Sequence, residues 1–277
     1  MRIDSIKDCA TLNNGVIMPW VGLGVFKSNE GAEVESAVKW ALAAGYRSID
    51  TAAIYGNERG VGKAIRESGI PRDEIFVTTK VWNDDLRAGT TLKAIGDSLD
   101  RLGMDYVDLY LIHWPVKGCY REAWQAMEEI YHGGRARAVG VSNFLLHHLE
   151  DLLAHTELVP AVNQIEFHPL LLQRRLLDYC QTHGVQVEAW SPLMQGKAFD
   201  TPEIQRLAVK YGKNPGQIVL RWDLQHGVVT IPKSVHRERI IDNAGIFGFT
   251  LAEEDMALLD GLDIGKRFGA DPDHFSF

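Results

Sequence analysis

Eight short apolar runs alternate with helix-like segments along the chain, and this alternation limits the folds open to it. One such segment is 33–43, in which Val34, Ala37, Val38 and Ala41 recur at helical spacing. Strands that alternate with helices form parallel sheets, either open and doubly wound or closed into barrels. The eight predicted strands are 21–25, 47–50, 76–80, 107–113, 136–141, 161–166, 186–190 and 228–232.

The number of strand–helix units favours a closed barrel. No Gly-x-Gly-x-x-Gly follows the first strand, although an open dinucleotide-binding sheet requires that motif. A length of 277 residues suits one barrel, so we predict an α/β fold with a single (β/α)8 TIM barrel domain over 1–277. The turn signal Asn13-Asn14-Gly15 predicts an N-terminal β-hairpin that closes the bottom of the barrel. The segment 252–262 should form an extra C-terminal helix.

Composition disfavours several classes of partner. Lys and Arg number 29 and Asp and Glu number 37, which gives a net charge of −8, so a nucleic acid would be repelled. No run approaches the roughly 18 apolar residues of a membrane span, and 1–8 lacks the apolar core of a signal peptide. We therefore expect a cytoplasmic protein without membrane or nucleic-acid partners. Cys9, Cys119 and Cys180 are far apart and are expected to be reduced.

Polar residues end three of the predicted strands, and in a barrel the carboxyl ends of the strands surround the active site. Asp50, Lys80 and His113 occupy these positions, and Tyr55 follows Asp50 closely. Carbonyl reduction needs a proton donor at the substrate oxygen, and we predict that Tyr55 fills this role.

A free tyrosine, with a pKa of about 10, is too weak an acid for this task, and each pKa unit corresponds to about 1.4 kcal/mol. A lysine ammonium about 4 Å away contributes up to about 4 kcal/mol at an effective dielectric of about 20, which suffices in order of magnitude. Lys80 is therefore predicted to activate Tyr55 and Asp50 to hold Lys80 charged, while His113 aims the substrate carbonyl by a hydrogen bond.

Other interpretations of these residues exist. Each of the four, taken alone, is more often structural, and only their joint placement favours a catalytic site. A lyase with Lys80 as a Schiff-base nucleophile would need a lowered lysine pKa, whereas Asp50 raises it. A cofactor-binding sensor or structural protein without turnover is a further alternative. No metal is expected, because His-Glu-x-x-His is missing and His147 and His148 are adjacent rather than on one helical face. Hydrolase and nucleotide-triphosphatase motifs are also missing.

Five segments of the chain resemble the aldo-keto reductase family. They are 45–58, 109–115, 140–144, 163–169 and 231–234, and the likeness extends over essentially the whole sequence. Within the family, the chain looks closest to bacterial glyoxal and methylglyoxal reductases and 2,5-diketo-D-gluconate reductases. The resemblance implies a monomer that uses NADPH to reduce small aldehydes, 2-oxoaldehydes or ketones, including keto-sugars. It also assigns Asp50, Tyr55, Lys80 and His113 the roles given above.

The resemblance further implies that NADPH lies extended across the barrel mouth. Ser142, Asn143 and Gln164 would bind the nicotinamide carboxamide, and Trp190 would stack on the ring where many relatives have tyrosine. The resemblance also identifies residues for the phosphates and the adenosine of NADPH. Residues matching the pyrophosphate and ribose positions are Ser191, Leu193, Gln195 and Gly196, and those matching the adenosine end are Lys233, Ser234, Arg239 and Asn243. The two cations in the second group favour a 2′-phosphate, hence NADPH over NADH.

An aromatic wall is implied for the substrate pocket. Phe26, Trp82 and Trp114 follow predicted strands and match this wall in the family, with His113 beside them. Aromatic residues at strand ends also cap cores, which is the alternative. The segment 116–120 and the C-terminal tail are short, so we expect a shallow, open pocket for small carbonyl compounds.

Overall fold

Eight parallel strands surround the core and close into a barrel. The computed structural model describes residues 3–277, and Met1 and Arg2 of the predicted domain lie outside the described residues. Neighbouring strands pair in chain order, and the first strand meets the last through the hydrogen bond from Gly22 N to Thr230 O (3.0 Å). The predicted (β/α)8 fold is confirmed. The strands, hairpin first, are β1 (Cys9–Thr11), β2 (Ile17–Pro19), β3 (Leu23–Gly24), β4 (Ser48–Asp50), β5 (Phe76–Val81), β6 (Val107–Ile112), β7 (Ala136–Ser142), β8 (Val162–Glu166), β9 (Gln186–Trp190) and β10 (Val229–Thr230).

The helices cover the outside of the barrel. Between β9 and β10 the chain inserts two helices, and the last helix is the predicted extra one at the C-terminal side. Gly103 ends the fourth helix with φ 64°, a left-handed conformation that glycine adopts without strain. The helices are α1 (Ala32–Ala43), α2 (Glu58–Glu67), α3 (Asn83–Ala88), α4 (Thr91–Leu102), α5 (Tyr120–His132), α6 (Leu146–Leu153), α7 (Arg174–Thr182), α8 (Pro202–Tyr211), α9 (Pro215–Gln225), α10 (Arg237–Ala244) and α11 (Glu253–Asp260).

The N-terminal hairpin lies at the amino ends of the barrel strands. β1 and β2 pair in antiparallel fashion around the predicted turn. Asn13 Nδ2 donates to the Pro160 carbonyl (3.1 Å), and Asn14 Nδ2 donates to the Arg137 carbonyl (3.0 Å). Both carbonyls belong to segments that enter or begin barrel strands, so the hairpin closes the bottom and leaves the opposite end free.

β3 and β10 are shorter than the sequence pattern predicted. Ile231 N still donates to the Ala189 carbonyl (3.2 Å), but Pro232 has no backbone N–H, so the hydrogen bonds from β10 to β9 end there. The two strands also approach closely, because a Cβ added at Gly24 would lie 2.9 Å from the Ile231 carbonyl oxygen. Glycine at this position therefore permits the barrel to close.

The described helices are too short or too polar to span a bilayer, since none of those within residues 3–277 reaches the necessary apolar length.

Candidate active site

A cleft of about 1170 Å³ opens at the carboxyl ends of the barrel strands. It is lined by every predicted site residue except Lys80, which is fully buried behind it. The structure thus brings residues far apart in sequence to one place. The lining includes Phe26, Asp50, Tyr55, Trp82, His113, Trp114, Ser142, Asn143, Gln164, Trp190, Ser191, Leu193, Gln195, Gly196, Lys233, Ser234, Arg239 and Asn243.

Three of the four predicted catalytic residues form a hydrogen-bonded chain. Asp50 is the last residue of β4, Lys80 lies near the end of the neighbouring β5, and Tyr55 ends a 3₁₀ turn after β4. The Lys80 Nζ atom is 2.6 Å from Asp50 Oδ1, 2.9 Å from the Thr51 carbonyl oxygen and 3.5 Å from the Tyr55 hydroxyl. All three ammonium protons are therefore directed to acceptors.

The charges in this chain are strongly coupled. Burial alone would lower the pKa of Lys80, but the carboxylate of Asp50 reverses this and leaves the Lys80 pKa raised. Burial raises the pKa of the Tyr55 phenol, and the Lys80 ammonium lowers it only in part. The prediction for Tyr55 took account of the lysine charge and not of the burial of the phenol, which acts in the opposite direction. Lys80 offsets a burial cost rather than giving an unusually acidic tyrosine.

His113 follows β6 and faces the same site. Its ring centroid is 5.7 Å from that of Tyr55 in an edge-on arrangement, and 5.2 Å from that of Trp82. Burial, followed by the charge of Lys80, holds the pKa of His113 well below its usual value, so the ring is neutral at pH 7. Its Nδ1 atom is buried with no hydrogen-bond partner among residues 3–277. A neutral imidazole can still donate one hydrogen bond to a carbonyl oxygen.

Polar side chains connect the ends of β7, β8 and β9. Asn143 has φ 65°, and its amide donates to the His113 carbonyl (2.9 Å). Trp190 Nε1 donates to Asn143 Oδ1 (2.9 Å), and the Ser142 hydroxyl donates to the Gln164 carbonyl (2.8 Å). These bonds fix the Trp190 ring and the Gln164 backbone beside the catalytic group.

The segment after β9 has an unusual backbone. Ser191, Met194 and Gln195 have φ values of 54°, 53° and 52°, and Gly196 has φ 96°. Left-handed conformations at residues other than glycine are disfavoured, and they concentrate at functional sites. This loop lines the cleft together with Lys233, which follows β10, and Arg239, which lies in the first turn of α10.

Aromatic residues form the remaining wall, and part of this wall was missed from sequence. Phe26 packs against Tyr55 with 4.9 Å between ring centroids. Phe277 stacks on Trp82 (5.6 Å, 12° between planes) and contacts Trp114 edge-on (5.1 Å). The tail thus adds an aromatic face to the pocket that was expected to be shallow and open. The tail shows no periodic pattern that would have indicated this position.

Glu188 is a second functional candidate that sequence reasoning missed. It lies in the middle of β9, fully buried, and accepts a hydrogen bond from Gln164 Nε2 at 2.7 Å. A carboxylate at the centre of a buried strand was the available signal, because such groups are rare without a role.

His147 and His148 meet Asp273 outside the cleft. The Nε2 atoms of the two rings are 3.0 and 3.4 Å from Asp273 Oδ1. His148 Nδ1 accepts from Leu145 N at 3.2 Å, so a neutral ring carries its proton on Nε2. The two rings therefore bring α6 into close polar contact with the tail, and the adjacency that argued against a metal pair does not prevent both rings from reaching one carboxylate.

Comparison with known proteins decides the family. The model of the Aldo/keto reductase family matches residues 20–264. The chain belongs to this family. It is 56% identical to a glyoxal reductase of Bacillus subtilis over 99% of both chains. It is 49% identical to methylglyoxal reductase DkgA of Escherichia coli over 95% of this chain and 96% of the other. The crystal structure of a Bombyx mori aldo-keto reductase in complex with NADP superposes with a TM-score of 0.90 at 38% identity, covering 96% and 95% of the two chains. The protein is an oxidoreductase, as the sequence predicted.

Proposed function

We propose that this chain uses NADPH to reduce small aldehydes, 2-oxoaldehydes and ketones to alcohols, with Tyr55 as the general acid. The observation that carries the proposal is the chain from Asp50 through Lys80 to the Tyr55 hydroxyl, with links of 2.6 and 3.5 Å, at an aromatic-walled cleft. A nicotinamide bound beside Trp190 would supply the hydride. Side chains of the protein orient the substrate carbonyl and supply the proton.

Tyr55 and His113 bind the oxygen of the substrate. Negative charge develops on this oxygen during reduction, and hydrogen bonds from the phenol and the neutral imidazole stabilise it. Tyr55 then gives its proton to the oxygen, and the resulting phenolate faces the Lys80 ammonium at 3.5 Å. Asp50 keeps that ammonium charged, so the negative charge on Tyr55 always has a fixed cation.

The cleft fits an extended dinucleotide phosphate. Trp190 offers a fixed ring for stacking, the 191–196 loop lines the cleft with a left-handed backbone, and Lys233 and Arg239 offer cations for a 2′-phosphate. The relative of known structure with NADP supports this cofactor, and the glyoxal and methylglyoxal reductases support a small 2-oxoaldehyde substrate. From the resemblance we also propose a monomer acting in the cytoplasm.

The alternatives are less consistent with the geometry. A Schiff-base lyase needs an unprotonated lysine, whereas Asp50 raises the pKa of Lys80 and all three Nζ protons have acceptors. A sensor without turnover would have no need for Tyr55, Lys80 and His113 to converge at the aromatic wall.

Oxidation of NADPH with methylglyoxal as substrate tests the proposal. We expect absorbance loss at the rate of alcohol formation, with NADPH preferred to NADH, and no adduct after borohydride treatment in the absence of cofactor. Stable binding of NADPH without turnover on methylglyoxal, glyoxal and a panel of small aldehydes and keto-sugars would instead support the sensor alternative.

A further inference from the structure

Gln164 uses one nitrogen to contact two carboxyl groups. Its Nε2 atom donates to Asp50 Oδ2 at 2.8 Å and to Glu188 Oε2 at 2.7 Å. Gln164 and Glu188 are register partners on the parallel strands β8 and β9, so their side chains extend from the same face of the sheet. All three residues are buried.

These two bonds fix the carboxamide of Gln164. A primary amide has two N–H donors and one oxygen, and both donors are directed to carboxyl groups. The oxygen is consequently the polar atom of the carboxamide that remains free to accept from a group in the cleft. If Glu188 did not accept, one donor would lose its partner and the amide could rotate.

The two carboxyl groups do not have equal access to positive charge. Asp50 is 2.6 Å from Lys80, while Glu188 has only the amide of Gln164, and its Oε1 atom is buried without a partner in the described part of the chain. An ionised carboxylate is costly in such a place. Burial, then the charge of Asp50, raise the pKa of Glu188 to about 8. Glu188 therefore holds a proton at neutral pH, and the groups that act on it from neighbouring elements are Asp50, Gln164 and Lys80.

We propose that Glu188 is a positioning residue of this site, which orients the Gln164 carboxamide and, by holding a proton, keeps a second negative charge away from Tyr55. The inference rests on the proposed function, because it takes Tyr55 as the proton donor. Ionised Glu188 would raise the pKa of Tyr55 and make it a weaker acid. Loss of the Glu188 proton should then slow reduction.

Two substitutions separate the roles of Glu188. Glu188→Gln mimics the protonated acid: it can still accept from Gln164 and cannot ionise. We expect it to keep turnover within about threefold of the parent near neutral pH and to lack the fall in rate that we predict for the parent above about pH 8. Glu188→Leu removes the acceptor, and we expect turnover at least about tenfold lower.

Infrared spectra of the cofactor-free protein test the proton without any turnover. The difference spectrum between the parent and Glu188→Gln removes the contribution of other buried acids, and it should contain the carbonyl stretch of the Glu188 carboxylic acid at neutral pH and lose it on alkaline titration. Asp223 is a matched control, because it is a buried acid with one unpartnered oxygen among residues 3–277 and a raised pKa, but it bonds Thr230 outside the cleft. Asp223→Asn should leave both the Glu188 band and the alkaline fall in turnover unchanged.

The inference is overturned if Glu188→Gln loses turnover about a hundredfold, keeps the alkaline fall, or leaves the infrared band in place. If the parent does not oxidise NADPH with any carbonyl substrate, the proposed function fails, and the infrared titration still decides whether Glu188 carries the proton. If Glu188→Leu does not fold, the pH profile of Glu188→Gln and the infrared band decide whether Glu188 acts as proposed.

Discussion

Replacing Lys80 by methionine tests the electrostatic part of the mechanism. Methionine keeps much of the volume of the buried side chain and removes its charge. At 3.5 Å and an effective dielectric of about 20, the ammonium stabilises a Tyr55 phenolate by about 5 kcal/mol, which corresponds to about three to four pKa units. Only part of the proton transfer has occurred in the transition state, so we expect the rate of reduction to fall by about 10²- to 10³-fold at pH 7.

The assay is single-turnover oxidation of bound NADPH by methylglyoxal, followed in a stopped-flow instrument. Lys80 lies behind the cleft, so the dissociation constant of NADPH should change by no more than about threefold. This separates a loss of chemistry from a loss of binding.

Stability needs its own control, because Lys80→Met leaves Asp50 buried without its cation. Breaking a buried pair in this way typically costs about 3–5 kcal/mol. The double variant Asp50→Asn with Lys80→Met removes both charges, so we expect it to recover most of the lost unfolding free energy but none of the lost rate. A folded Lys80→Met variant with a rate within about fivefold of the parent would refute the assigned role of the lysine.

Three further predictions concern the cofactor, the pocket wall and pH. Arg239→Ala should weaken NADPH binding by at least about tenfold and leave NADH binding nearly unchanged, as measured by fluorescence titration; an equal loss for both would place Arg239 away from the 2′-phosphate. Phe277→Ala should raise KM for aromatic aldehydes and leave KM for methylglyoxal within about twofold, because the Phe277 ring, stacked on Trp82, would add apolar contacts for an aromatic substrate and few for a much smaller one. The folded protein binds the Glu188 proton more tightly than the unfolded chain does, so this group favours folding below its unfolded pKa and loses that effect as pH rises towards about 8. Denaturant titrations should therefore show that Glu188→Gln gains stability relative to the parent over this range, by at most about 5 kcal/mol at pH 8, and equal pH dependence would contradict the assignment.

Much of this site could be predicted from sequence because barrel topology converts strand ends into neighbours. Three of the catalytic residues end predicted strands, and each lies within one residue of the end of an observed strand: Asp50, Lys80 and His113. Residues at the carboxyl ends of parallel strands meet at one rim of the barrel. Boundaries were accurate where a strand is paired along its whole length, as for 186–190. They failed for β3 and β10, where Pro232 and the close approach at Gly24 shorten the pairing.

The remaining features depend on contacts that no local pattern encodes. Phe277 reaches Trp82 only because the tail folds back across the barrel mouth. Its position therefore depends on tertiary contacts and could not be predicted from the local sequence. The pKa of Tyr55 depends on burial as well as on Lys80, and burial is known only once the phenol has been placed. Glu188 was visible as a carboxylate in a buried strand, but its partner Gln164 is 24 residues away along the chain.

The most direct test of the central claim is the Tyr55→Phe variant, compared with the parent in NADPH binding and in single-turnover reduction of methylglyoxal. The change removes one hydroxyl from a partly exposed ring and leaves the Asp50–Lys80 pair at 2.6 Å intact. We predict NADPH binding within about threefold of the parent and a reduction rate at least about 10³-fold lower, because the neutral His113 ring is a much weaker acid than the phenol and cannot replace it as proton donor. Reduction by Tyr55→Phe at the parental rate would contradict the mechanism.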